Sequence, residues 1–108
     1  MGSNLARKLS SLGHDLTIVD SLKYGYTHNL SGLDSTTFIH SDLRDLNLIE
    51  LMQKIDVVFH FAGISSLPEC ESNPSEAFSV NTTLVASLLH AVRFSNVKKF
   101  IFSSTSAV

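Results

Sequence analysis

Apolar positions fall into two alternating kinds of run. Leu5, Ala6, Leu9 and Leu12 recur at helical spacing and predict a helix, which Ser3 or Asn4 can cap and Gly13 stops. Leu16 to Val19 (LTIV) is a continuous apolar run and predicts a buried strand with Asp20 at its end. A polar, glycine-punctuated loop comes next, with room for one short helix. Thr37 to His40 (TFIH) predicts a second strand, ending near Asp42. Leu46 to Lys54 predicts a helix on Leu48, Ile49, Leu51 and Met52. Asp56 to Phe61 (DVVFHF) is nearly all apolar, as strands buried on both faces of a parallel sheet are. Residues 62–73 read as a loop. Asn73 then caps a long helix with Pro74 at its first position, Glu76 in its first turn, and Ala77, Phe78, Val85, Leu88, Leu89 and Val92 on its apolar side. Lys99 to Ser103 (KFIFS) predicts the last strand.

The order is therefore α β (loop) β α β α β. Alternation of this kind implies parallel strands with helices on both faces, a three-layer α/β/α architecture. Neither a repeat nor a linker interrupts residues 1–108, so one domain is expected. The opening helix has no strand before it and reads as the second half of a βαβ unit.

Composition changes this picture little. Of 108 residues 44% are hydrophobic, enough for a packed core rather than disorder. A net charge of −2 gives no reason to expect nucleic acid or an anionic membrane as partner. No apolar run approaches the ~18 residues of a membrane span. The start lacks a signal-peptide pattern, and the one cysteine, Cys70, precludes an internal disulfide, so a cytoplasmic setting is expected. Asn29-Leu30-Ser31 and Asn81-Thr82-Thr83 match the glycosylation pattern by chance in such a setting. No metal site is expected.

Five stretches, in order, carry a resemblance: GSNLARKL, TIVDSLKYGY, HSDLRD, HFAG and FIFSSTSAV. The chain resembles the extended short-chain dehydrogenase/reductases, specifically the NAD-dependent sugar-nucleotide epimerase/dehydratase group. The resemblance implies a doubly wound, Rossmann-like parallel sheet that binds NAD. It also implies truncation at both ends. The family begins with a strand and a G-x-x-G-x-x-G loop, and Gly2 matches the last of those glycines. The family continues to a Tyr-x-x-x-Lys pair, whereas Tyr24 and Tyr26 are followed four residues later by His28 and Leu30. The family's strand order would put the absent first strand between LTIV and DVVFHF.

The match implies a set of site residues. Gly2 lets the first helix pack close to the sheet, with its N-terminus toward the cofactor pyrophosphate. Asp20 accepts from the adenosine ribose hydroxyls and disfavours a 2′-phosphate; by itself it also reads as a turn aspartate. Ser21 stands where the family often has asparagine. Asp42 and Leu43 hold the adenine, while Asp42 can equally cap the next helix. Phe61, Ala62 and Gly63 lie beyond a strand end, where the backbone approaches the cofactor. His60, among apolar neighbours, reads as a core histidine. Ser65 replaces a lysine of several epimerases. Asn81, a poor helix former, supports the active-site backbone, and Leu84-Val85 departs from the common Gly-Thr. Ser103 and Ser104 precede Thr105, the match to the hydroxyl that bonds the reacting sugar oxygen. Ser106 stands where dehydratases commonly have an acid, which favours an epimerase. The implied whole protein is a homodimer acting on a nucleotide-linked sugar by reversible hydride transfer. A dehydratase or reductase of the same superfamily, or a non-catalytic NAD-sensing module, remains as the alternative.

Overall fold

A computed structural model of the chain describes residues 1–33 and 35–104. Backbone contacts divide the chain into two units, Met1–Leu46 and Asn47–Val108.

The first unit opens with α1 (Gly2–Ser11). The helix starts one residue before Ser3, so neither Ser3 nor Asn4 is its cap, and Met1 takes that position without a side-chain bond. Its other end agrees closely with the sequence pattern. Gly13 adopts φ +85°, a left-handed conformation that glycine reaches without a Cβ penalty. The Gly13 N–H then donates to Ser10 O at 3.0 Å and the His14 N–H to Leu9 O at 3.2 Å. These are the two bonds of a Schellman cap, and they satisfy carbonyls the helix end leaves open. Strands β1 (Leu16–Asp20) and β2 (Thr36–His40) pair in parallel, from Leu16 opposite Thr36 to Asp20 opposite His40. Between them runs a loop with a 3₁₀ turn at Thr27–Leu30. Arg7 Nη1 ties this loop to α1 by donating to Ser31 O at 3.1 Å.

The second unit holds α2 (Leu48–Leu51), β3 (Val57–His60), α3 (Leu67–Ser72), α4 (Pro74–Phe78), α5 (Leu84–Arg93) and β4 (Lys99–Phe102). Helix α2 is a single turn, shorter than the run from Leu46 to Lys54 predicts. Asn47 Oδ1 caps it by accepting from Glu50 N at 3.2 Å, so Leu46 lies outside. Helix α3 falls where a loop is expected. Ser66 Oγ accepts from Glu69 N at 3.4 Å and Pro68 sits in the first turn, an arrangement that starts helices. The long helix from Asn73 is interrupted by a π segment, Ser79–Thr83, between α4 and α5. Buried apolar residues here are Met52, Ile64, Ala77, Leu84, Leu88 and Ala91; in the first unit only Ala6 is comparably buried among the described residues.

The α/β class and the parallel pairing agree with expectation, but the one sheet is present as two pairs. Strand β3 pairs with β4, from Val57 opposite Lys99 to His60 opposite Phe102, and among the described residues β1 pairs only with β2. Along β3–β4 the side chains alternate. Val57, Phe59 and Ile101 share one face with Lys99, and all three apolar members are exposed, Ile101 to 41%.

An open apolar face beside an unpaired strand edge favours association. At micromolar concentration the purified chain is expected to elute from size exclusion ahead of a monomer, and Ile101→Lys is expected to shift it toward the monomer position. A monomeric peak that melts sharply by circular dichroism would contradict this.

Candidate cofactor site

Parallel pairing aligns the ends of the strands, and Asp20, Ser21, Asp42, Leu43, Phe61, Ala62, Gly63 and Ser103 lie at or just beyond those ends. In the first unit Asp20 ends β1 directly opposite His40 at the end of β2. The Ser41 N–H extends the ladder by donating to Asp20 O at 3.1 Å. His40 Nε2 lies 3.0 Å from Ser21 O, which ties the two departing loops together. Asp20, Ser21, Asp42 and Leu43 thus share one end of the pair.

The Asp20 carboxylate is shaped by its own loop. Its Oδ1 accepts from Leu22 N at 2.8 Å. That turn puts Leu22 at φ +59°, a left-handed conformation costing about 1–2 kcal/mol for a residue with a Cβ. The other oxygen faces Gly25, where an added Cβ would stand 3.2 Å from Oδ2. A side chain at residue 25 would crowd this carboxylate oxygen. Neither Leu22 nor Gly25 is legible in the sequence, since SLKYG gives no period to read.

Asp42 performs the capping role. Its Oδ1 accepts from Arg44 N at 2.9 Å and starts a 3₁₀ turn, Leu43–Asp45. The Arg44 guanidinium also grips the carboxylate, with Nη2 2.6 Å from Oδ2. These side-chain bonds hold the Asp42 carboxyl below the usual carboxylate range. Arg44 is absent from the expected site residues, although Asp-x-Arg spacing is the signal that reveals it.

In the second unit Phe61, Ala62 and Gly63 come after β3, and the Ser103 N–H donates to His60 O at 3.4 Å, which places Ser103 beside them. Asn81 lies in the π segment and clasps the next residue of that loop. Its Nδ2 donates to Ile64 O at 2.9 Å and its Oδ1 accepts from Ile64 N at 2.8 Å. A Cβ on Gly63 would stand 3.1 Å from the same Oδ1, so the smallness of Gly63 serves this clasp. Cys70 Sγ adds a weak donor to Ile64 O at 3.6 Å. Gly2 begins α1, as expected. Thr105 lies outside the described residues.

His60 is 4% exposed, and its Nε2 is buried with no hydrogen-bond partner among the described residues. The rings of Phe100 and Phe102 stack near it, with centroids at 6.1 and 5.8 Å. Burial pushes its pKa down, because the cation loses water. The core-histidine reading fits this setting.

These contacts carry two expected outcomes. Asn81→Ala leaves the buried Ile64 N–H without its partner and is expected to lower stability by about 1–3 kcal/mol, read from the urea midpoint; an unchanged midpoint would refute the clasp. The lowered His60 pKa makes the unfolded chain the better proton acceptor below its own value, about 6.5. Stability is therefore full above about pH 6.5 and falls as pH drops toward the lowered folded value, by at most ~1.4 kcal/mol per pH unit. His60→Phe is expected to flatten that slope, and an equally steep decline in the variant would show that another group titrates.

All of residues 1–108 match the NAD dependent epimerase/dehydratase family. The chain is similar to the UDP-glucose 4-epimerase of Lactobacillus helveticus, 35% identical over 111 residues that cover 99% of this chain and 33% of that one. Among solved structures it is similar to a UDP-N-acetylglucosamine 4-epimerase from Methanobrevibacter ruminantium M1 (TM-score 0.92, 34% identity, 99% of this chain and 35% of that one). It is similar also to a UDP-glucose-4-epimerase from Stenotrophomonas maltophila with bound NAD and formylated UDP-arabinopyranose (TM-score 0.86, 32% identity, 99% and 34%). The chain spans about a third of the length of these relatives. With its α/β elements in the family's order and the fold shared with solved epimerases, the chain belongs to the NAD dependent epimerase/dehydratase family.

Proposed function

We propose that this chain is the NAD-binding portion of a nucleotide-sugar epimerase. The observation that carries the reading is the pairing of Asp20 with an open Gly25 at the end of β1. A carboxylate is held by its backbone there, and a side chain that would cover it is absent. Such a carboxylate accepts from vicinal ribose hydroxyls and repels a phosphate in their place. The start of α1 at Gly2 has no side-chain cap, and the first-turn N–H groups that a helix leaves without intrahelical partners suit a pyrophosphate. Asp42 and Leu43 would meet the adenine, and Ser21 would add a hydrogen bond near the ribose. Phe61, Ala62 and Gly63, braced by Asn81 through Ile64, would line the nicotinamide side with Ser103.

NAD, when bound, supplies the hydride acceptor and donor. Around it the chain's own work is to bind, orient and exclude water. Thr105 is assigned the hydrogen bond to the reacting sugar oxygen. A Tyr-x-x-x-Lys pair, the family's proton-transfer group, does not occur in these 108 residues. Epimerisation therefore requires groups beyond them. The epimerase reading over a dehydratase rests on Ser106, which stands in place of an acid. The whole protein is read as a cytoplasmic homodimer acting on a nucleotide-linked sugar.

The test is cofactor choice. A chimera in which the segments this chain does not span come from the Lactobacillus helveticus relative is expected to prefer NAD to NADP. A hydrogen bond to a charged group contributes about 1.5–3 kcal/mol, so Asp20→Ala should weaken NAD by about 10- to 100-fold and narrow the preference. Calorimetry on both proteins decides, and equal affinity for the two cofactors before mutation would refute the assignment of Asp20.

A further inference from the structure

The Asp42 carboxylate is held unusually completely for a group still about 30% exposed. Three N–H hydrogens of one residue, Arg44, converge on it. The backbone N–H donates to Oδ1 at 2.9 Å. The Nε–H is shared between Oδ1 at 3.0 Å and Oδ2 at 3.2 Å, and Nη2 donates to Oδ2 at 2.6 Å. An ionised carboxylate offers about four lone-pair sites, so about one is left open. The planar fork also fixes the plane of the carboxylate, because a guanidinium bonds two oxygens only when the planes match. Asp42 is therefore an acceptor with one free direction.

We propose that Arg44 is a specificity-determining, positioning residue: by locking the Asp42 carboxylate it makes this site read a 6-amino purine and reject a 6-oxo purine. The inference rests on the dinucleotide reading given above and deepens it. A 6-amino purine presents an N–H donor outside the ring and an acceptor at ring N1. A 6-oxo purine reverses both, with a carbonyl outside and an N–H at N1. A carboxylate fixed in one direction meets one of these patterns with a donor and the other with a repelling carbonyl. A carboxylate free to turn about its Cβ–Cγ bond tracks the donor to N1 and accepts either base. Arg44 acts through Asp42 and does not itself touch the base. The same contacts keep Asp42 ionised, hence acceptor-only. An exposed ion pair contributes little to folding, so R44A is expected to fold.

The experiment is equilibrium dialysis of NAD and of nicotinamide hypoxanthine dinucleotide. It uses the 108-residue chain, unmutated and as R44A and R44K, with the same three sequences in the chimera run in parallel. The readout is the ratio of the two affinities, which a purely structural defect does not move. The unmutated protein is expected to favour NAD by at least about tenfold, the effect of one hydrogen bond to a charged acceptor. R44A is expected to bring the ratio to within about threefold of unity, and R44K, with the charge but no fork, to lie between. Where the chain alone binds neither dinucleotide, the ratio in the chimera decides. An R44A ratio equal to the unmutated one, or a proportional loss of both ligands, overturns the role of Arg44. Failure of both unmutated proteins to bind either dinucleotide overturns the cofactor reading and this inference with it.

Discussion

Parallel register is the constraint on which the candidate site depends. In each pair the strands end flush, Asp20 opposite His40 and His60 opposite Phe102. Parallel strands require crossovers, so the loops that leave the C-terminal ends of a pair leave side by side. That alone brings Asp20, Ser21, Asp42 and Leu43 to one end in the first unit, and Phe61 to Gly63 and Ser103 to one end in the second. Slipping the register by one residue would turn every side chain to the opposite face and unmatch the ends together. In the first unit the ladder itself brings Asp20, Ser21 and Asp42 together.

The strands are legible in the sequence because their apolar runs are short and bounded. LTIV, TFIH, DVVFHF and KFIFS each lie within a residue or two of the observed element. The helices are harder where side chains outside the apolar face decide. Helix α3 is set by Ser66 and Glu69 at capping-box spacing with Pro68 between them, a signal present in the sequence but masked by weak periodicity. Helix α2 is shortened at its start by the Asn47 cap rather than by loss of apolar positions. Interruption of the helix after Asn73 is not readable from period, because a π segment shifts the phase by one residue without breaking the apolar side. In the site, Asp20, Gly63 and Asn81 are legible as positions, but the reasons they matter are three-dimensional. Gly63 is small because of Asn81, and Asp20 is open because of Gly25.

Two carboxylates of the same unit show how environment divides labour. Asp20 has one oxygen in a backbone turn and the other facing a glycine. Asp42 is gripped by a guanidinium and a backbone N–H. The first keeps its field directed outward, which suits discrimination against a phosphate. The second has most of its field neutralised by Arg44, which suits a directional bond to an uncharged base. Equal residue types at the ends of paired strands thus acquire different chemistry from neighbours two to five residues away.

The π segment shows why a locally unfavourable stretch persists. Asparagine and threonine both cost up to about 0.7 kcal/mol relative to alanine in a helix, and Ser79–Thr83 carries Asn81, Thr82 and Thr83 in succession. A regular helix here would gain little from these side chains. Widening the turn lets Asn81 reach sideways to Ile64, where its amide matches both backbone groups as a neighbouring strand would. Each such bond contributes about 0.5–1.5 kcal/mol net, and Ile64 is buried, so leaving its N–H open would cost more than the bond is worth. Two bonds offset the propensity of one asparagine and its neighbours. The defect in the helix and the order of the loop after β3 are one feature: remove the amide and the helix has no reason to widen, while the loop beside Gly63 loses the edge that holds it straight.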